Sequence, residues 1–509
     1  MANTPNYTPS LQDLAKLAEA RTENAPDNPL LIESVSLNGA EVEPGGLFAA
    51  LPGTRVHGAS YAATSAAGAI LTDDAGLTIL QEAGEERPVL VVDNVREILG
   101  AVSAEIYGHP SQDLTILGVT GTSGKTTTTY LLEAGLLAAG YKVGIIGTTG
   151  TRIDGRLVPT KLTTPEAPML QTLFRMMVDE GVTHVVMEVS SHAISLGRVD
   201  GTRFAVAGFT NLSQDHLDFH PTMEEYFETK AKLFDPAAPW SAERSVICID
   251  DDWGETLAKR IDQPATVGTK GQRAVTCSAR RIKLDPTGAQ DIEFTIGNWA
   301  HKAHLSLPGD FNIANAALAT TMAYVADIDV DSFLRGVEKA GVPGRMERID
   351  EGQDFVAVVD YAHKPAAVAA VLDTLRFQVD GRVGVVVGAG GDRDATKRPI
   401  MGAEAARRAD LVIITDDNPR SENPALIREA VVAGARQAKA EENLDVVIRE
   451  IPSRASAIDH LIQWAQAGDA VIVTGKGHEV GQIVGDTTHH FDDREEVRRA
   501  LGHYGRGKN

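Results

Sequence analysis

Residues 114–147 read LTILGVTGTSGKTTTTYLLEAGLLAAGYKVGIIG. LTILGV is an apolar run of strand length, GTSG is a loop, and KTTTTYLLEAGLLAAG is a helical pattern closed by glycine. KVGIIG is a second strand. A strand–loop–helix–strand unit of this kind builds a parallel sheet. Its loop is suited to phosphate. Gly121 and Gly124 let the backbone of Thr122 and Ser123 wrap an anion with N–H groups. Lys125 reaches the outer phosphates, Thr126 can ligand Mg²⁺, and Thr127 is a further expected ATP contact. The generic phosphate-loop pattern has glycine where this chain has Val119, with Gly118 one step earlier, so the loop is a variant. The expected ligand is a nucleotide.

The same rhythm extends outward. HVVMEVS (184–190) and FAVAGFTNL (204–212) continue the sheet as strands. Residues 240–310 are less regular, with HLSLPG (304–309) strand-like, and 312–326 read as a helix. Five further apolar runs, 355–361, 382–390, 410–417, 444–450 and 469–475, alternate with helical patterns. Near-continuous Val/Ile strands are what a doubly wound sheet, buried on both faces, requires. Before the loop, LLIES (30–34), GAILTD (68–73) and PVLVVD (88–93) are strand candidates. A helix should start at an Asp93 N-cap, because Val95, Ile98, Leu99, Val102 and Ile106 share one face. The expected class is α/β with three domains: 1–111, a central 112–346 built on a P-loop parallel sheet, and a Rossmann-like doubly wound 347–509.

The 509-residue length agrees with that division, at roughly 100–200 residues per domain. Lys and Arg total 48 against 70 Asp and Glu, a net charge of −22. So acidic a chain is a poor general nucleic-acid binder and a poor ligand for anionic membranes. Two cysteines, Cys248 and Cys277, exclude a disulfide framework or a Cys-rich zinc site. The start, MANTPNYTPSLQDLAK, has no signal-peptide pattern. No apolar run reaches the ~18 residues of a membrane span. A cytoplasmic location is expected.

The variant loop G-T-x-G-K-T-T resembles that of the Mur ligases and their relative folylpolyglutamate synthetase. The resemblance implies ATP-dependent joining of an amino acid to a carboxylate through an acyl phosphate. Glu188 in MEVSSHA and His216 in TNLSQDHLDFH follow strands in the family's order, and with Thr126 they are the implied Mg²⁺ ligands. YFETKAKLF (226–234) resembles the segment with a carbamylated lysine, implying Lys230 as N6-carboxylysine and a further metal ligand. LPGDFNIANA, GVPGRMER and DYAHKPAAV supply Asn312, Asn315, Arg345 and Asp360 as implied ATP contacts. Ala366 stands where the family commonly has Asp.

KLTTPEAP (161–168) resembles the segment of members that act on UDP-N-acetylmuramoyl-dipeptide. It implies Thr163, Thr164, Ser190 and Arg198 as substrate contacts; Leu196 replaces a frequent Gln. PGGLFAALPGTRVHGASY (44–61) resembles the uridine-binding region, with Ser36, Thr54, Arg55 and Val56 carried over. The usual Asp-Ser-Arg there is Val35-Ser36-Leu37. GAGGDRDATKRP, TDDNPRSENP and TGKGHE each end a predicted strand and supply Arg393, Asp417, Asn418, Pro419, Arg420, Gly475 and Glu479. D-N-P-R marks family members that add meso-diaminopimelate. Arg can clamp the distal carboxylate while Asp and Glu pair with the ammonium. The motif argues against lysine and says little about stereochemistry. Together these segments favour the muramyl substrate over a folate, in peptidoglycan precursor synthesis. Intact Lys125, Glu188, His216 and Lys230 argue against a non-catalytic ATP-binding protein. The resemblance implies a monomer whose partners are small molecules.

Overall fold

The computed structural model describes residues 8–217, 219–272, 274–284 and 288–506. Three sheets carry the α/β fold. The first has five strands in the order 21–23, 89–91, 69–72, 47–49, 35–36, parallel except for the 21–23 edge. The sheet departs from expectation at its start. LLIES is not a strand: Leu31 makes a single bridge to Ser10, and the paired residues are Val35–Ser36. Leu31 is 54% exposed whereas Ile32 is fully buried, so this stretch buries only one side chain at a time along the edge. The following helix, Val95–Ile106, is capped by Asn94 and not Asp93, because the Asn94 side chain accepts from the Arg96 N–H.

The central sheet has eleven strands. Thr115–Thr120 lies between His184–Glu188 and Val206–Phe209, both parallel to it. The chain leaves this strand in one direction, to Val143–Gly147, and later fills the other side. That reversal is the switch point where ligands bind in open α/β sheets. Alternation along the strand divides its side chains between two cores. Leu117 and Val119 pack with helices Lys125–Ala138 and Asp310–Val325, while Ile116 joins the core on the opposite face. The irregular segment becomes an antiparallel extension, with Cys277–Leu284, Gln290–Ile296 and Trp299–Leu305 paired in sequence order.

The C-terminal sheet has six strands, parallel except for the edge Glu347–Arg348. In Val383–Val387, Val383, Val385 and Val387 face one core and Val386 the other. Helices cover both faces, as a fully apolar strand demands. Among the described residues no helix is long and apolar enough to cross a membrane. All five C-terminal runs read as strands are strands: Val356–Asp360, Val383–Val387, Leu411–Ile414, Val447–Glu450 and Ala470–Thr474.

Candidate functional site

The loop between Thr120 and Lys125 is clamped from behind by the next strand end. Ser123 N–H donates to Asn211 Oδ1 at 3.0 Å, and the Ser123 carbonyl accepts from Thr210 Oγ1 at 2.7 Å. The Ser213 N–H donates to Thr122 Oγ1 at 3.0 Å. Gly121 and Gly124 have φ of +138° and +89°. A Cβ would lie 1.9 Å from Thr210 Oγ1 at Gly121 and 2.3 Å from Asn315 Oδ1 at Gly124. Only glycine suits both the torsion and the space. Asn315 donates to Asn312 Oδ1 and Asn312 to the Pro308 carbonyl, so both candidates are fixed beside the loop.

Lys125 Nζ donates to the carbonyls of Gly121 and Thr122, at 2.9 and 3.1 Å. Burial, reinforced by the nearby Lys364, pushes its pKa down to about 8. Thr126 Oγ1 donates to Glu188 Oε1 at 2.9 Å, and the Thr148 N–H donates to the same oxygen. Arg345 reaches Thr126 Oγ1 at 3.1 Å and stacks over Tyr361. Arg345 therefore sits at the phosphate loop. Both Asp360 oxygens serve the backbone, accepting from the N–H groups of Met346 and Ala362 at 2.7 Å. Burial raises the Asp360 pKa, against the pull of Arg345.

These groups line a cavity of about 740 Å³. Its far wall holds Thr163, Thr164, Ser190 and Arg198. Thr164 Oγ1 donates to the Glu188 carbonyl at 2.8 Å and accepts from the Ser190 N–H. Arg198 grips the same segment through Glu166 Oε1 at 2.9 Å. His216 lines this cavity too, with its Nε2 facing Asp215 Oδ2 at 3.0 Å. Burial works against the Asp215 carboxylate, yet Lys364 holds it well below the usual range. Lys230 is fully buried, with Nζ 3.0 Å from the Gly121 carbonyl. Burial, then Lys125 and Lys364, lowers its pKa well below the usual lysine value.

A second cavity of about 460 Å³ adjoins the first. Thr148, Thr163, His216, Tyr361, His363 and Arg393 belong to both linings. Asp417, Asn418, Arg420, Gly475 and Glu479 complete its wall. Arg420 donates to the Gly391 carbonyl at 2.8 Å, and Pro419 precedes it in the chain. Asn418 donates to Glu479 Oε2 at 3.1 Å and accepts from Lys476 at 2.7 Å. Tyr361 donates to Glu479 Oε1 at 3.2 Å. Burial and the neighbouring Asp417 hold the Glu479 carboxyl above the usual range. Beneath the pocket, Arg454 and Asp493 form a fully buried bidentate pair, and Arg454 also donates to the Thr474 carbonyl.

The structure thus brings together the central and C-terminal candidates. Ser36 and the exposed Thr54, Arg55 and Val56 lie outside both linings. Sequence reasoning passed over Lys364, Lys476, Tyr361, Thr148 and Arg454. Lys364, Tyr361 and Lys476 stand in DYAHKP and TGKGHE, where a charged or aromatic residue right after a buried strand was the available signal. Thr148 and Arg454 carry no such mark.

Comparison with known proteins matches three successive segments to one family. Residues 31–107 match the Mur ligase family, catalytic domain; 119–323 the Mur ligase middle domain; and 344–477 the Mur ligase, glutamate ligase domain. A UDP-N-acetylmuramoyl-L-alanyl-D-glutamate--2,6-diaminopimelate ligase of Corynebacterium glutamicum is 63% identical over 459 residues, covering 89% of each chain. One of the same name from Corynebacterium efficiens is 60% identical over 499 residues, covering 97% of this chain and 95% of the relative. A solved structure of a ligase of that name shares 31% identity at a TM-score of 0.67, covering 98% of this chain and all of the other. The chain belongs to the Mur ligase family.

Proposed function

We propose that this protein joins meso-2,6-diaminopimelate to the D-Glu residue of UDP-N-acetylmuramoyl-L-alanyl-D-glutamate, using ATP, in peptidoglycan precursor synthesis. The observation that carries the reading is the wall common to the phosphate-loop cavity and the D-N-P-R pocket. Phosphoryl transfer and amide formation need adjacent sites, because the acyl phosphate made in one step is the electrophile of the next.

The γ-carboxylate oxygen of the dipeptide bonds to the γ-phosphorus of ATP as the bond to ADP breaks, and ADP leaves with the electron pair. The acceptor amine then bonds to the acyl carbon, phosphate leaves, and the nitrogen loses a proton. Lys125 and Arg345 stabilise the phosphoryl charge at the loop. Thr163, Thr164, Ser190 and Arg198 orient the dipeptide end, while Asn312, Asn315 and Asp360 shape the nucleotide side. Ser36 and residues 54–56 would take the distant uridine end.

Thr126 and Glu188 are hard oxygen donors already in contact, and they would hold a Mg²⁺. Among the described residues no group of three His, Cys, Asp or Glu is placed to hold a metal ion by itself. When bound, the ion supplies charge neutralisation for the phosphates. His216 lies close by as a further ligand. Burial lowers the Lys230 pKa, which favours the neutral amine, the form that bonds to CO₂ and releases a proton to become a carbamate. Intact-protein mass should show one added CO₂, lost in Lys230→Ala. In the second pocket Arg420 and Arg393 take the distal carboxylate, and Asp417 and Glu479 take the ammonium. Asn418, Pro419 and Gly475 set that geometry. The enzyme works as a monomer in the cytoplasm.

The test is phosphate release with ATP, Mg²⁺ and the UDP-dipeptide, comparing meso-diaminopimelate, LL-diaminopimelate, lysine and no acceptor. Stimulation mainly by the meso acceptor, with the tripeptide product seen by mass, is expected. Stimulation mainly by lysine would overturn the role of Arg420, and activity only with a folate would overturn the whole reading.

A further inference from the structure

Three lysines from separate parts of the chain converge on two adjacent carbonyls of the phosphate loop. Lys125 donates to Gly121 and Thr122, and Lys230 to Gly121. The third is Lys364, from the turn after Val356–Asp360 in the C-terminal sheet. It lies 242 residues from Thr122 in sequence, and its Nζ donates to the Thr122 carbonyl at 3.0 Å. Lys364 also pairs with Asp215 at 2.8 Å, and its side chain is 8% exposed. It lines the larger cavity. Lys364 stands at the N-cap of helix Pro365–Gln378, so the helix end adds positive potential at the same place.

Asp215 balances the Lys364 charge, while Lys125 and Lys364 share the neutral Thr122 carbonyl, a weak acceptor for two ammonium groups. Phosphoryl oxygens would make shorter, charge-assisted bonds with both. Resting on the reaction assigned above, we propose that Lys364 is a further catalytic residue for phosphoryl transfer. Its ammonium exchanges the Thr122 carbonyl for the oxygens of the transferring phosphoryl. As the dipeptide oxygen bonds to phosphorus and ADP departs with its electron pair, no proton moves. The need is for fixed positive charge, which Lys125 supplies from the loop and Lys364 from the C-terminal sheet. Part of the charge for chemistry therefore arrives only when that sheet is docked, so the loop alone binds nucleotide without turning it over.

The experiment compares the full-length parent with Lys364→Met, Lys364→Gln and Lys364→Arg. The readouts are dissociation constants for ADP and for a non-hydrolysable ATP analogue, and kcat and KM for the complete reaction. Lys364→Met should weaken the analogue at least roughly tenfold, leave ADP within about twofold, and lower kcat about 100-fold. The KM for diaminopimelate should stay within about threefold, and Lys364→Arg should regain most of kcat. A structural strut would weaken ADP and the analogue equally. That result, or a kcat within about threefold of the parent, overturns the proposal. Lys364→Gln keeps a hydrogen-bonding strut without the charge, so normal turnover there overturns it even if the methionine variant folds poorly. Failure of the parent to release phosphate would remove the assigned reaction, and the analogue-to-ADP comparison would still decide the role of Lys364.

Discussion

On the phosphate side of the site the partners are largely main-chain atoms: the carbonyls of Gly121 and Thr122, and a loop held by Thr210 and Asn211. On the acceptor side they are side chains bonded to one another, with Asn418 linking Glu479 to Lys476 and Tyr361 reaching Glu479. A backbone cradle reads only charge and shape, so it suits a ligand that every ligase of this kind shares. A side-chain network reads the positions of individual charges, so it suits the ligand that distinguishes one ligase from another. The difference implies that damage on the first side should be felt as lost chemistry and on the second as lost selectivity.

The largest expected effect breaks the first side. Lys125→Ala should lower kcat by roughly 1,000-fold or more while acceptor binding, measured by calorimetry, stays within about threefold. Equal loss of acceptor binding would show that the two sides are not separable. Next is the buried support under the acceptor pocket. Arg454→Met leaves the fully buried Asp493 without its partner and should cost about 3–5 kcal/mol in urea unfolding. A loss below about 1 kcal/mol would mean the pair contributes little. Third, Arg420→Ala should raise the KM for diaminopimelate roughly 10–100-fold and leave the KM for ATP unchanged. A shift in ATP instead would move Arg420 out of the acceptor pocket.

The smallest effect is in pH. The Glu479 carboxyl is raised, chiefly by burial, so it gains its proton at a higher pH than an ordinary carboxyl. Binding the acceptor ammonium needs the ionised form. kcat/KM for diaminopimelate should therefore fall as pH drops, with the decline beginning above the ordinary carboxylate range. Glu479→Gln should flatten that limb, and an unchanged acid limb would assign it elsewhere.

Local pattern made the parallel strands readable. VGVVV at 383–387 is apolar throughout because both faces are covered, and the phosphate loop announces itself between a strand and a helix. LLIES reads as a strand from its composition alone, but Leu31 and Ile32, equally apolar, have opposite exposure and only a single bridge forms there. In the antiparallel segment Gln290–Ile296 alternates buried and half-buried residues, and Cys277–Leu284 also pairs with a strand outside the segment. Candidate residues near the loop were legible through motifs. Their mutual contacts were not, since Lys364 meets Thr122 and Asn418 meets Lys476 only through folding. The Thr126–Glu188 contact spans 62 residues, and nothing local in either segment encodes it.

The wall common to the two cavities bears on how long a reactive intermediate survives. On the proposed assignment, an acyl phosphate formed beside Thr163 and His216 borders the chamber that would hold the amine. It has no tunnel to traverse and no release step to await. Capture by the acceptor then competes with hydrolysis at an effective concentration fixed by the protein, not by the cell's supply of the free amino acid. One tethered molecule, a phosphonate joined to an amino diacid by a short linker, could lodge in both chambers and combine the two affinities.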